Sequence, residues 1–285
     1  MYTTLISAAE LRQLMDSGRP LSVLDCSFDL MNADAGQAQF EAEHIPGSLY
    51  VHLDRHLSDK TGADRASGGR HPLPSRETFA RRLGDLGVSN DAQVVVLDRQ
   101  GANYCGRLWW MLKWSGHEAV AVLDGGLPAW KAAGGAIAQG PASAPATTRF
   151  ELRPPLAHTA STQDILDTLG RPGLTLIDAR APARFRGETE PLDPVAGHIP
   201  GALNRPFGLN VTPDGRFRPV DELRAEFHRL LAGRDPASVV HHCGSGVSAI
   251  PNLIAMELAG LGRARLYPGS WSEWSNTPGT PRAQG

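Results

Sequence analysis

The amino-acid sequence predicts an α/β protein made of two copies of one unit, each a parallel sheet flanked by helices on both faces. Short apolar strands alternate with helical patterns, and the same signals recur in the same order, the first of them 154 residues apart (161 − 7). A stretch rich in Pro, Ala and Thr separates the copies. We therefore expect an N-terminal domain at 1–140, a linker at 141–157 and a C-terminal domain at 158–285.

The helix that opens each copy has the same start signal. Ser7 is followed three residues later by Glu10, and Ser161 is followed three residues later by Asp164. A hydroxyl side chain and an acid at this spacing are typical of a capping box, in which each satisfies backbone N–H groups at a helix start. Both copies are therefore expected to begin with a capped helix.

Two further signals follow in each copy. The segments 21–25 (LSVLD) and 174–178 (LTLID) are short apolar runs that end in Asp, as buried strands do. The sequence His-Ile-Pro-Gly then occurs at 44–47 and at 198–201, where Gly and Pro favour a turn before the next strand. The repeated order indicates a duplication.

The third pair of predicted strands, 94–97 and 238–242, places Asp98 and Cys243 at equivalent points. Each strand is followed by a loop and then an apolar helical pattern, at 108–114 and at 253–261. Ligands of parallel sheets bind at the carboxyl ends of strands. These two loops are therefore the places where chemistry is expected. Each copy then ends in a Gly turn anchored by a tryptophan, Trp130 or Trp274.

Charge and composition exclude several classes of protein. Among 285 residues, 28 Lys and Arg balance 30 Asp and Glu, so no basic surface predicts binding to nucleic acid or an anionic membrane. No apolar run is long enough to span a bilayer, and no signal-peptide pattern is present, so we expect a cytoplasmic protein. Cys26, Cys105 and Cys243 are too few for a disulfide framework, and metal-ligand spacings are missing, so we expect no metal site.

The loop that follows the predicted strand 238–242 has features that predict a reactive cysteine at Cys243. Gly244 and Gly246 allow a tight turn that aims successive backbone N–H groups inward, and the helix N-terminus adds positive potential. These features favour a thiolate nucleophile at Cys243. The alternative is that Cys243 is a small buried apolar residue, which is the usual role of a free cysteine. Asp98, at the equivalent position of the first copy, has no sulfur atom and so cannot act as a sulfur nucleophile.

Several motifs accompany both HIPG segments: Asp178-Ala179-Arg180 with Arg184-Phe185, CGSGVSA at 243–249, and GGLPAW and YPGSWSEW near the domain ends. In these motifs the chain resembles the tandem-domain rhodanese and 3-mercaptopyruvate sulfurtransferase family over nearly its whole length. The resemblance implies two rhodanese-like domains, of which the C-terminal one is catalytic and the N-terminal one inactive, with the active site in the cleft between them.

The family mechanism implies that the Cys243 thiolate attacks the sulfur of a donor, becomes a persulfide and passes that sulfur to a nucleophilic acceptor. The acceptor would be a thiol, cyanide or a thioredoxin-like protein, and neither a metal nor an organic cofactor is implied. Backbone N–H groups from Gly244 to Ser248 would stabilise the persulfide charge, and Arg184 would bind the anionic end of the donor. The substrate-binding residues so implied are Arg184, Arg186, Gly244, Gly246, Val247 and Ser248.

The resemblance also bears on the choice of donor. The Gly-Ser-Gly sequence after Cys243 favours 3-mercaptopyruvate over thiosulfate, and in that subfamily the serine at Ser245 acts with a histidine and an aspartate that match His71 and Asp54. The second substrate arginine of that subfamily falls on Leu192 here. Carboxylate binding would then depend on Arg184 with help from Arg186, and thiosulfate stays open as a donor.

Other activities fit the cysteine loop less well. A phosphatase of this fold needs Arg where Ala249 stands, and a serine hydrolase needs a nucleophile elbow that neither Ser245 nor Ser248 has. Gly244-x-Gly246-x-x-Ala249 fits a dinucleotide fingerprint, but the stretch 262–266 lacks the acid expected there. A relay module that carries a persulfide to a protein partner without turnover of small donors remains an alternative.

Overall fold

The computed structural model describes residues 1–143 and 145–285, which form two compact units. Unit 1 comprises Met1–Asp59, Pro74–Leu156 and Val211–Phe217, and unit 2 comprises Lys60–Leu73, Ala157–Asn210 and Arg218–Gly285. Each unit therefore includes a short segment that lies, in sequence, within the other half of the chain. The segment Lys60–Leu73 brings side chains to the cysteine loop.

Unit 1 contains a five-stranded parallel sheet in the order β1-β5-β4-β2-β3. Its strands are β1 (Leu5–Ile6), β2 (Leu21–Asp25), β3 (Leu49–Tyr50), β4 (Gln93–Leu97) and β5 (Val120–Leu123). Its helices are α1 (Ala8–Asp16), α2 (Ala35–Ala42), α3 (Arg76–Asp85), α4 (Cys105–Trp114) and α5 (Gly126–Ala132).

Unit 2 contains a four-stranded parallel sheet in the order β7-β6-β8-β9. Its strands are β6 (Thr175–Asp178), β7 (Leu203–Asn204), β8 (Val239–His242) and β9 (Arg265–Leu266). Its α-helices are α6 (Thr162–Thr168), α7 (Pro182–Phe185), α8 (Val220–Leu231), α9 (Ile250–Leu258) and α10 (Ser270–Trp274), with 3-10 turns at Phe207–Asn210 and Pro236–Ser238. The order matches β3-β2-β4-β5 of unit 1, which confirms the predicted α/β fold with two parallel sheets flanked by helices.

The local signals that indicated a duplication have the same structure in both units. Ser7 with Glu10 and Ser161 with Asp164 each form a complete capping box. His44 Nδ1 hydrogen-bonds to the Phe40 carbonyl at 2.8 Å, and His198 Nδ1 does the same to the Phe185 carbonyl at 2.8 Å. Each histidine ring also stacks on that phenylalanine. Both HIPG turns are therefore fixed by the same contacts.

The largest difference from the sequence expectation is in the helix after the cysteine loop. The apolar pattern predicted a helix at 253–261, but α9 runs from Ile250 to Leu258. Pro251 lies in its first turn, where a residue without an N–H group is tolerated and its fixed φ favours the helix. Because α9 begins earlier than predicted, the loop between β8 and α9 spans only residues 243–249. Among the described residues, every helix is too short or too polar to span a bilayer.

The apolar core of unit 2 holds the chain around α10 against strand β8, at whose end the cysteine lies. Val240 of β8, Tyr267, Trp271 and Trp274 are all at most 1% exposed and belong to one apolar cluster. The indole N–H of Trp274 donates to the Pro281 carbonyl at 2.8 Å. Large rings that bury this much surface hold the chain around α10 rigidly against β8.

Candidate active site

Cys243 lies at the end of the buried strand β8 and is held through its own backbone. Its N–H donates to Ser270 Oγ at 3.1 Å, and its carbonyl accepts from the Trp271 N–H at 3.0 Å. The Gly244 carbonyl accepts from the Ser272 N–H at 2.8 Å. Cys243 is 2% exposed. The start of the loop is therefore fixed by the turn that opens α10.

Four backbone N–H groups later in the loop are not used in protein hydrogen bonds among the described residues. Within the described parts of the chain, the N–H groups of Gly244, Ser245, Val247 and Ser248 donate to no protein acceptor. Gly246 has a φ of +73°, and a Cβ at this position would overlap the Pro268 carbonyl oxygen. A glycine is required here because no other residue combines that backbone conformation with so close an approach.

The equivalent loop of unit 1 shows what such a backbone can hold. Asp98 Oδ1 accepts hydrogen bonds from the N–H groups of Gln100 and Ala102 at 2.9 and 3.0 Å. Its Oδ2 accepts from those of Tyr104 and Cys105 at 2.8 and 2.9 Å. Four amides thus converge on one carboxylate, which is the arrangement that stabilises an anion at the start of a helix.

Ser245 and His71 lie within hydrogen-bonding distance of each other. His71 Nδ1 is 2.8 Å from Ser245 Oγ, and the two residues are 2% and 8% exposed. His71 belongs to unit 2 through the segment Lys60–Leu73. Asp54 belongs to unit 1, where its N–H donates to His52 Nδ1 at 3.0 Å. The part of Asp54 in a relay with His71 and Ser245 stays a prediction.

Arg184 is held next to the residue that follows the cysteine. Its Nη2 donates to Glu190 Oε1 at 2.6 Å and its Nε to Glu190 Oε2 at 3.2 Å. A Cβ placed on Gly244 would lie 3.5 Å from both Nη1 and Nη2 of Arg184. Arg186, the other predicted arginine, forms an exposed ion pair with Glu188 at 2.6 Å.

The sequence reasoning missed Arg70. A Cβ placed on Gly244 would lie 3.1 Å from Arg70 Nη2, closer than to either nitrogen of Arg184. Arg70 Nη1 donates to Asp193 Oδ1 at 2.6 Å. The only signal available from the sequence was that Arg70 precedes His71, a residue already placed at the site. Leu192, at the position of the family's second arginine, donates its N–H to Glu190 Oε1 at 3.1 Å.

A buried ion pair lies at the end of the neighbouring strand β6. Asp178 accepts from Arg180 Nη2 at 2.7 Å, and both side chains are at most 1% exposed. Burial alone would raise the pKa of Asp178, but His242 and Arg180 together lower it, so the carboxylate is charged. Burial lowers the pKa of His242, whose Nδ1 is 3.9 Å from Asp178. Arg180, whose guanidinium is always charged, therefore balances the charge of Asp178.

The other two cysteines are unsuited to nucleophilic chemistry. Cys26 and Cys105 are 0% exposed in unit 1. Burial raises the pKa of both thiols, and the charges of nearby aspartates raise it further. A thiol whose pKa is raised carries little thiolate, which is the reactive form. Among the described residues, no group of three His, Cys, Asp or Glu side chains is arranged to hold a metal ion.

Comparisons with known proteins show which family the chain is similar to. The model of the rhodanese-like domain matches residues 7–133 and 161–277. A protein of Pseudomonas aeruginosa named "Probable 3-mercaptopyruvate sulfurtransferase" is 45% identical over 266 residues, 93% of this chain and 93% of the relative. The thiosulfate sulfurtransferase of Gallus gallus is 32% identical over 275 residues, 95% and 92% of the two chains.

A solved structure gives the same result. The 3-mercaptopyruvate sulfurtransferase from Leishmania major superimposes with a TM-score of 0.82 at 30% identity and covers 96% of this chain and 74% of that chain. The family match over both halves, the two like-ordered sheets and the paired loops lead to one conclusion. The chain belongs to the rhodanese family and carries a rhodanese-like domain in each half.

Proposed function

We propose that this protein is a sulfurtransferase that takes a sulfur atom from a small anionic donor, holds it as a persulfide on Cys243 and passes it to a thiol or cyanide. The observation that carries the proposal is the backbone around Cys243, where the N–H groups of Gly244, Ser245, Val247 and Ser248 are available to a charged sulfur. Preorganised donors of this kind lower the energy of an anion without the cost of reorganising during the reaction.

The chemistry proceeds in two displacements. The Cys243 thiolate attacks the donor sulfur, an S–S bond forms, and the bond from that sulfur to the rest of the donor breaks. With 3-mercaptopyruvate the leaving group is the enolate of pyruvate, which takes up a proton; with thiosulfate it is sulfite. The acceptor then attacks the outer sulfur and Cys243 leaves as the thiolate.

We favour 3-mercaptopyruvate as the donor. An enolate leaving group needs a proton, and Ser245 Oγ, at 2.8 Å from His71 Nδ1, is a hydroxyl group through which a histidine could supply one. Asp54 is proposed as the third member of this relay. Sulfite needs no proton to leave, so this pair would be of little use with thiosulfate. The relatives include enzymes named for each donor.

The setting proposed for this activity is a reducing compartment such as the cytoplasm, with small molecules or a thioredoxin-like protein as acceptors. The three cysteines are all free thiols, which fits a reducing environment. Binding of the donor anion is assigned to Arg184, whose guanidinium is charged at every relevant pH.

Replacing Cys243 with Ser tests the proposal. We expect Cys243→Ser to form no persulfide and to release no pyruvate or sulfite, because a hydroxyl group cannot carry the transferred sulfur. Mass spectrometry of the intact protein detects the added sulfur, and a turnover assay with each donor measures product. Cys105→Ser is the matched control and is expected to keep both signals, since Cys105 is buried in unit 1.

The same assays separate catalysis from a relay. An enzyme releases pyruvate or sulfite in many equivalents per protein molecule when a small thiol is present. A relay module would load one sulfur and then stop. Sulfur transfer retained by Cys243→Ser would remove this residue from the mechanism.

A further inference from the structure

Arg70 is anchored to the same turn that anchors the cysteine loop. Its N–H donates to Ser272 Oγ at 3.0 Å, while the N–H of Ser272 donates to the Gly244 carbonyl at 2.8 Å. Gly69 approaches this turn so closely that a Cβ there would lie 2.6 Å from the Gly269 carbonyl oxygen. One serine therefore fixes the backbone of Arg70 relative to the backbone of the loop.

Two guanidinium groups converge on Gly244, and each keeps one terminal nitrogen unused. Arg70 Nη1 donates a hydrogen bond to Asp193, and Arg184 Nε and Nη2 donate to Glu190. Within residues 1–143 and 145–285, Arg70 Nη2 and Arg184 Nη1 have no hydrogen-bond partner. Arg70 Nε is buried and likewise lacks a partner among these residues.

The two carboxylates that hold these arginines lie away from solvent. The side chains of Glu190 and Asp193 are each 3% exposed, whereas those of Arg70 and Arg184 are 24% and 19% exposed. The carboxylates thus position the guanidinium groups, and the partly exposed nitrogens remain for a ligand. A hydrogen bond from a charged guanidinium to an oxyanion is stronger than one between neutral groups, so an incoming oxyanion gains by contacting these nitrogens.

We infer that Arg70 and Arg184 form a two-arginine clamp that binds the oxyanion of the sulfur donor beside Cys243. The absence of a side chain at Gly244 allows both guanidinium groups to lie close to the loop backbone. This inference rests on the proposed function for the identity of the ligand, which is a carboxylate in 3-mercaptopyruvate and a sulfonate in thiosulfate. In this clamp Arg70 has the supporting role that the family resemblance had suggested for Arg186.

Alkylation of Cys243 tests the clamp without any sulfur transfer. Iodoacetate and iodoacetamide both react with a thiolate by losing iodide, but only iodoacetate carries a carboxylate. The ratio of their rate constants at the Cys243 peptide, measured by mass spectrometry, reports anion binding next to the sulfur. We expect Arg70→Gln to lower this ratio roughly 10- to 100-fold, which corresponds to the loss of a hydrogen bond to a charged group. Arg184→Gln should act in the same direction.

Arg65→Gln is the matched control, because Arg65 belongs to the same segment but is exposed. It should change the ratio by about twofold or less, as expected for a solvated surface charge. Arg70→Gln also leaves the negative charge of Asp193 without its partner, and that charge alone could repel iodoacetate. The double variant Arg70→Gln/Asp193→Asn removes this charge as well. If Arg70 contacts the anion directly, the ratio of rate constants for iodoacetate and iodoacetamide stays low in the double variant. An unchanged ratio in Arg70→Gln, or a ratio restored in the double variant, would overturn the inference.

Steady-state kinetics identify the bound group. Arg70→Gln should raise KM roughly 10- to 100-fold with a smaller change in kcat. A larger effect with 3-mercaptopyruvate indicates the carboxylate, and a larger effect with thiosulfate indicates the sulfonate; no effect with either donor would overturn the clamp. A protein that transfers no sulfur but shows the alkylation effect would refute the proposed function and support the clamp, so the two can fail separately.

Discussion

Ser270 has a φ of +55°, in the left-handed region that favours glycine. Counted from the anchoring tryptophans, its equivalent in unit 1 is Gly126 (130 − 4 and 274 − 4), with a φ of +56°. The serine therefore costs about 1 kcal/mol or more in backbone strain that a glycine would avoid. Its hydroxyl accepts from the Cys243 N–H and donates to the Tyr267 carbonyl at 2.9 Å. At the residue scale, Ser270 lowers the stability of the fold slightly, and its hydroxyl group fixes the backbone of the cysteine.

His241 gives unit 2 a dependence of stability on pH. It is 0% exposed, and burial, with the nearby charges of Arg205 and His242, lowers its pKa to about 3. In the unfolded chain a histidine titrates near 6.5, so below that pH the unfolded state binds a proton that the folded state does not. The free energy of unfolding should therefore fall as the pH drops from about 6.5 toward 3, by up to roughly 1.4 kcal/mol per pH unit for this group.

Urea denaturation across this pH range measures the effect. His241→Leu should flatten the slope, since the variant has no group to protonate there. His158→Gln is the control, because His158 is exposed, and should leave the slope as in the wild type. Equal slopes in His241→Leu and the wild type would contradict the assignment.

At the scale of elements, the cysteine loop depends on the glycine at its centre. Gly246→Ala should lower the free energy of unfolding by more than about 2 kcal/mol, because the new Cβ both disfavours a φ of +73° and overlaps the Pro268 carbonyl oxygen. Gly260 has a φ of +74° with nothing within 4 Å of its Cβ position, so Gly260→Ala carries the backbone penalty alone. The difference between the two variants in urea denaturation isolates the overlap, and a difference near zero would refute it.

The sequence predicts most elements because their signals are local. The strand at Leu21–Asp25 and both capping boxes have the expected residues. The role of Arg70 could not be predicted in this way. Its position depends on a contact with Ser272, which is 202 residues away, and no local pattern records such a contact. The same is true of the hydrogen bond from Cys243 to Ser270, which depends on how two turns pack.

At the scale of the whole molecule, the duplicated loop has two uses. In unit 1 four loop amides donate to Asp98, whereas in unit 2 the N–H groups of Gly244, Ser245, Val247 and Ser248 have no protein acceptor among the described residues. Asp98→Asn places an NH₂ group against backbone donors, so we expect a loss of roughly 2 kcal/mol or more of unfolding free energy. Cys243→Ser should cost about 1 kcal/mol or less. Thermal unfolding followed by calorimetry compares them; similar losses in the two variants would show that the amides around Asp98 contribute no special stability.

Because the short stretch Lys60–Leu73 belongs to unit 2, the second half of the chain does not contain the whole of that unit. A polypeptide that started after the linker would keep the nucleophile but lose both His71 and Arg70, and with them the partner of Ser245 and half of the clamp. The first half of the chain therefore supplies part of the unit that contains the nucleophile.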